Sequence, residues 1–321
     1  MDNTFMHPMH YQGRNDNARM LALTREHPEG HAHVADLPYR LCSWAFDNPA
    51  NVGLWEDERG RLLAWAVLQP PFWTFEYGLH TDAPPDALAV ILNWGDAQAR
   101  TLLDTPYGRP AWFVPVPEGN EGRRQTLEAF GYRPQDTVEN PWSQVTLALT
   151  ADVVLPPCPV RDGYRLRQLR GEAEVPAYVS LHRAVFHSTN MTEGWRHKII
   201  HHPAYEPELD LVVEAQSGEL AAFCIAWLMD QPIMVDGRSS RVGQIEPIGV
   251  REENRRHGLA WAILAETVRR LRRMGAETVL VQTDNYRDRA YSFYQVAGFR
   301  IVEHITLYRK DFAPADWKSD E

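Results

Sequence analysis

Apolar residues in the second half of the chain fall into alternating runs and helical stripes. "YRLRQL" (164–169) reads as a strand. A helix is predicted over Ala173–Phe186, opened by acidic residues, and a second begins near Thr192, where "TEGW" sets a threonine at an N-cap. "LDLVVEA" (209–215) and "LAAFCIAWLMD" (220–230) are apolar strands joined by the turn "QSGE", and "RVGQIEPIGV" (241–250) is a fourth strand. A long helix is predicted from Gly258 to Met274, with Ala260, Ile263, Leu264, Thr267, Leu271 and Met274 on one face and Gly275 as its stop. Arg269, Arg270, Arg272 and Arg273 lie on the other face and read as a solvated surface. "ETVLVQT" (277–283) is a buried strand, "DRAYSFYQVAGF" (288–299) a short helix stopped at Gly298, and "IVEHITLYRK" (301–310) closes the sheet.

The first half repeats this order more faintly. "VGLWEDERGRLLAWAVLQ" (52–69) is two strands around an "ERGR" turn, and "WTFEYGLH" (73–80) is a third. Asp86–Leu103 is a helix, "AWFVPV" (111–116) a strand, "GRRQTLEAFGY" (122–132) a short helix stopped at Gly131, and "SQVTLAL" (143–149) a closing strand. The two glycine stops are about one domain length apart, which reads as an internal duplication. Pro156, Pro157 and Pro159 interrupt the chain between the repeats. The expected architecture is α/β, with two tandem domains at 1–153 and 154–321.

Composition narrows the partners. A length of 321 residues, 44% hydrophobic and 24% charged, fits two soluble globular domains. A formal net charge of −10 argues against general nucleic-acid binding and mildly favours cationic small molecules. Apolar runs are too short for a membrane span, and the N-terminus lacks the apolar core of a secretory signal, so a cytoplasmic protein is expected. Cys42, Cys158 and Cys224 are odd in number and far apart, which suits small buried side chains in a reducing compartment. His31 and His33, and His201 and His202, have no further ligand at finger or helical spacing; they read as solvated loop residues, and no metal is expected.

The chemistry concentrates in "ENRRHGLAWAIL" (253–264), where two arginines, a histidine and a glycine precede a helix. A first turn already presents unpaired N–H groups and roughly half a positive charge. Arg255 and Arg256 add two more charges, and Gly258 lets a ligand approach the backbone with no Cβ in the way. Together these describe a cradle for a diphosphate. A GTPase-type loop is excluded, because no Gly-Lys-Ser/Thr follows Gly258. Beyond this helix stand Asn285, after a strand, and then Tyr294, Gly298 and Phe299.

The order strand, R-x-x-G-x-A, helix, strand, N, helix, Y-x-x-x-G-F resembles the GNAT acetyltransferase superfamily over about residues 160 to 310. The loop departs from the commoner pattern only at Ala260, where a second glycine is more frequent. The resemblance implies a mixed, mostly antiparallel twisted sheet flanked by helices, with a central splayed pair of parallel strands. It implies acetyl-CoA as co-substrate, its pantetheine along Ile248, Gly249 and Val250 and its pyrophosphate on the amides of Arg256, His257, Gly258, Leu259 and Ala260. Asn285 takes the position that hydrogen-bonds the pantetheine arm, and Tyr294 that of the acid protonating the departing thiolate. His257 reads as a ligand contact.

Glu246 is the candidate base, with substrate binding and structural pairing as its other readings. A carboxylate in an apolar strand is costly unless it is used or paired, and period 2 puts residues 246, 248 and 250 on one face. Asp284 is the alternative. The first repeat lacks these parts: Leu127 stands where Tyr294 does, and the helix from Asp86 is preceded by "GLHTDAPP", so that Asp82 and Asp86 stand at its start with no arginine and no glycine in its first turn. It reads as a degenerate domain that shapes structure or substrate. The function expected is acetyl transfer to the amine of a small molecule, with a single chain sufficient. The rival readings are a non-catalytic acyl-CoA sensor, and an acyltransferase using another acyl group or a hydroxyl acceptor.

Overall fold

The computed structural model describes residues 6–137, 142–156, 158–284 and 288–313. The first half carries β1 (His7–Met9), α1 (Arg14–Glu26), α2 (Leu37–Leu41), β2 (Val52–Glu56), β3 (Leu62–Gln69), β4 (Thr74–Leu79), α3 (Ala87–Leu102), β5 (Ala111–Pro117), α4 (Glu121–Ala129), β6 (Arg133–Pro134) and β7 (Ser143–Thr150). The second carries β8 (Tyr164–Gln168), α5 (Val175–Phe186), α6 (Glu193–Ile200), β9 (Asp210–Ala215), β10 (Leu220–Leu228), β11 (Ile233–Val235), β12 (Arg238–Ser240), β13 (Val242–Val250), α7 (Leu259–Arg273), β14 (Thr278–Asp284), α8 (Asp288–Val296) and β15 (Arg300–Asp311). The α/β class and the repeated order of elements are those read from the sequence. Thr192 caps α6 as predicted, its Oγ1 accepting from the Trp195 N–H at 3.0 Å. Helices α1 and α2 and the β11–β12 hairpin were not predicted. No helix among the described residues is long and apolar enough to cross a membrane.

The chain forms two compact units, and neither is a contiguous half. Unit 1 comprises the described residues of Met1–Val34, Ser43–Gln144 and His304–Glu321; unit 2 comprises those of Ala35–Cys42 and Val145–Glu303. In unit 1 the strand order is β1-β2-β3-β4-β5, followed by β15. β15 runs antiparallel to β5 from Ile305↔Pro117 to Asp311↔Ala111. In unit 2 the order is β7-β14-β13-β10-β9-β8. The expectation that "SQVTLAL" closes the first sheet and "IVEHITLYRK" the second is therefore corrected: each closing strand serves the other repeat. Alternation decides which face of a strand is buried and leaves its partner open, so two closing strands of like pattern can exchange.

Each unit has its own core. Ala64, Ala66 and Leu68 of β3 pack with Ile91 and Leu92 of α3 and Trp112 and Val114 of β5. In unit 2, Leu259, Ile263, Leu264, Val268 and Leu271 of α7 pack on Cys224, Ala226, Ile245, Val279 and Val281, with Leu147 and Leu149 of β7 beside them. The arginine face of α7 is not merely solvated. Arg269 and Arg270 pair with Glu266 at 2.7 Å, Arg273 pairs with Glu208, and Arg272 donates to the carbonyls of Thr150 (2.8 Å) and Val153 (2.7 Å). His31 also departs from the solvated reading. Its ring stacks on Trp65 at 5.6 Å, and its Nε2 is buried without a hydrogen-bond partner among the described residues.

Candidate active site

The site begins where two strands part. β13 and β14 are parallel neighbours from Val242↔Thr278 to Ile245↔Val281, and their ladder stops there. β13 continues to Val250 and keeps its other edge on β10, through Ile248↔Cys224, Gly249↔Phe223 and Val250↔Ala222. A bulge marks the point of divergence: Glu246 and Pro247 together oppose Ile225. Proline has no N–H to give a ladder, so a bulge is where a strand tolerates it. The Trp227 indole N–H donates to the Glu246 carbonyl at 2.9 Å, satisfying an oxygen the ladder has released. The bulge also breaks the period of two, so Glu246 does not keep step with Ile248 and Val250 as expected.

Beyond Val250 the loop makes one turn of 3₁₀ helix at Glu252–Asn254 and enters α7 through Arg256 (φ 64°) and Gly258 (φ 75°). No side chain caps α7, and its first backbone bond runs from the Ala262 N–H to the Gly258 carbonyl. The first-turn amides therefore carry the unpaired donors of a helix start. A Cβ on Gly258 meets nothing within 4 Å, so glycine serves the backbone angle and open access rather than packing. Arg255 and Arg256 are exposed beside it. Tyr164 of β8 braces the loop: its hydroxyl accepts from Asn254 Nδ2 at 3.1 Å and lies 2.9 Å from His257 Nδ1. One nitrogen of His257 is thus engaged in holding the loop. Tyr164, Asn254 and Trp227 were not singled out in the sequence, because each acts through a partner distant along the chain.

Tyr294 is buried in the core of unit 2, its ring 5.6 Å from that of Phe299. Burial raises its phenol well above the ordinary tyrosine value, and the charges of Glu246 and Cys224 raise it further. Its hydroxyl has no hydrogen-bond partner among the described residues. Glu246 is half-buried at the splay, and its charge also reaches the phenols of Tyr39 and Tyr178. Asp284, the alternative base, is buried at the end of β14. Asn285 lies outside the described residues.

In unit 1, β4 and β5 are likewise parallel and meet only at Thr74↔Phe113. The helix that follows is preceded by Asp82, paired with Arg61 at 2.8 Å, and by Asp86 at the N-cap. Leu127 is fully buried in that core.

Residues 175–299 match the family model described as the acetyltransferase (GNAT) family, so this chain carries a GNAT domain within unit 2. No curated protein matches the sequence. Solved structures resemble almost the whole chain. A tandem GNAT protein from the clavulanic acid biosynthesis pathway superposes with a TM-score of 0.66 at 12% identity, over 97% of this chain and 100% of that one. A GCN5-related N-acetyltransferase from Sphaerobacter thermophilus gives 0.62 at 19% identity, over 96% of each chain. A GNAT-family acetyltransferase from Colwellia psychrerythraea gives 0.55 at 12% identity, over 94% and 99%. The fold is a tandem GNAT fold.

Proposed function

We propose that unit 2 transfers an acetyl group from acetyl-CoA to the amine of a small molecule. The observation that carries this reading is the divergence of β13 from β14 after Ile245 and Val281, with an uncapped helix start at the end of the loop that leaves β13. The amides from Arg256 to Ala260, with the charges of Arg255 and Arg256, suit a pyrophosphate. The edge at Ile248, Gly249 and Val250 that β14 has left, where the Val250 carbonyl accepts from Arg255 Nε at 3.3 Å, suits the amide groups of a pantetheine arm, and Asn285 is assigned to the same arm. Unit 1 offers carboxylates at the corresponding helix start, which supports one acetyl-CoA per chain.

In the reaction the amine nitrogen attacks the thioester carbon, a C–N bond forms and the C–S bond breaks. Glu246 takes the proton the nitrogen loses. Tyr294, kept protonated by its burial, gives its phenolic proton to the leaving thiolate, and water returns the proton from Glu246 to the phenolate. A thiol-release assay against primary amines and alcohols tests this and separates an enzyme from a sensor that binds without turnover. Glu246→Gln and Tyr294→Phe are each expected to lower kcat at neutral pH by about 10²-fold or more, with acetyl-CoA affinity preserved. The Glu246→Gln loss shrinks as pH rises, because more acceptor is then already a free amine. Unchanged kcat in either variant removes that residue from the mechanism.

A further inference from the structure

Helix α2 belongs to unit 2, although the chain on both sides of it belongs to unit 1. All five of its residues, Leu37–Leu41, are buried. Tyr39 ties it down in three ways. Its carbonyl accepts from the Trp195 indole N–H at 3.2 Å, its ring lies 5.1 Å from the Trp195 ring, and its hydroxyl is 3.4 Å from His182 Nε2.

His182, on α5, stacks on Phe223 at 5.5 Å between ring centroids. Phe223 is the partner of Gly249 on the parted strand, and a Cβ on Gly249 would come within 3.0 Å of it. A packed series therefore runs from Tyr39 through His182 and Phe223 to the edge assigned to the acyl donor. Phe223 and Cys224 are successive residues of a strand and point to opposite faces of the sheet. Tyr294 packs in the core on the Cys224 face, and His182 packs on the Phe223 face. Glu246, at the bulge between them, acts electrostatically on Tyr294 and on Tyr39. An amine that reaches Glu246 opposite the thiolate acid thus lies on the side of Tyr39 and His182.

The state of His182 suits a holding role. Burial, and then the charges of Arg196 and Arg183, push it down to about 3, so the imidazole is neutral. Its Nδ1 is buried with no partner among the described residues. Burial, followed by the charges of Tyr178 and Glu246, keeps the Tyr39 phenol protonated. A phenol donating to Nε2 leaves the ring proton on Nδ1, and so decides the tautomer.

We propose that Tyr39 is a positioning residue for acyl transfer: acting through His182, it sets the wall against which the acceptor amine meets Glu246. This rests on the reading of Glu246 as the base. The test uses the full chain, with thiol release measured on n-butylamine, benzylamine, glucosamine and lysine amide. Tyr39→Phe removes only the hydroxyl and keeps the ring and the Trp195 contact. It is expected to lower kcat/KM for the amine about tenfold, the effect of one hydrogen bond, with acetyl-CoA affinity and Tm at wild-type values. His182→Phe, which keeps the stacking, is expected to do the same, and the double variant to fall no further than the lower single one, as for residues acting in series. Wild-type kinetics in Tyr39→Phe, or additive losses in the double variant, overturn the proposal. Glu246→Gln is the control. If it loses turnover while Tyr39→Phe keeps it, the positioning role falls alone. If it keeps turnover, or the wild type acetylates none of the four amines, the base reading falls and this proposal with it.

Discussion

At the scale of single residues, burial decides protonation. Tyr294 is kept neutral by the core around it and, secondarily, by the charge of Glu246, which is the state a proton donor to a thiolate requires. The same physics acts on a group far from the chemistry. Burial, and secondarily Arg123, pushes His31 down to about 3, against an ordinary value of about 6.5 in the unfolded chain. Between those values the unfolded state binds a proton that the folded state refuses. The stability His31 contributes is therefore complete above about pH 6.5 and is lost progressively as pH falls toward 3. His31→Phe keeps an aromatic ring on Trp65 and removes the proton site. Thermal melts from pH 7.5 to 4.5 are expected to show a shallower loss of Tm in the variant than in the wild type; parallel curves contradict the buried, neutral histidine.

At the scale of elements, the loop between β13 and α7 is held by groups that do not touch it in sequence. Tyr164 reaches both Asn254 and His257, so the amides of the helix start are presented in one arrangement before any ligand arrives. Preorganisation of this kind lowers the ordering cost of binding. Tyr164→Phe leaves the β8 packing and removes both hydrogen bonds. Its acetyl-CoA Kd is expected to rise about three- to tenfold with little change in Tm, read by calorimetry beside a melting curve; an unchanged Kd assigns the loop's order to its backbone alone. The loop and helix were legible in the sequence because their signals are local: a positive-φ glycine, adjacent arginines and a 3.6-residue apolar stripe. The bulge was not, since "IEPIGV" reads as a regular strand until its register against β10 is seen. Glu246, singled out from the sequence as the candidate base, was thus given the wrong facing. The same limit explains Tyr39, whose partners Trp195 and His182 are more than a hundred residues away.

At the scale of the whole molecule, the duplication was readable from two similar orders of elements, but the exchange of closing strands was not. Unit 2 contains α2 and most of β7, both from the first half of the chain. Leu147 and Leu149 of β7 are fully buried in the same core as α7. Residues 154–321 expressed alone are expected to lack a cooperative thermal transition, measured by circular dichroism, because removing β7 exposes the β14 edge and opens that core. A stable, cooperatively melting fragment contradicts the exchanged arrangement. The exchange also gives the first half of the chain a part in unit 2.

The central claim is a single acetyl-CoA site, made where β13 leaves β14 and α7 begins. Calorimetric titration of the full chain with acetyl-CoA tests it most directly. The predicted result is one site per chain, abolished by Gly258→Asp, which places bulk and negative charge at the helix start assigned to the pyrophosphate. Two equivalent sites in the wild type, or binding that survives Gly258→Asp, contradicts it.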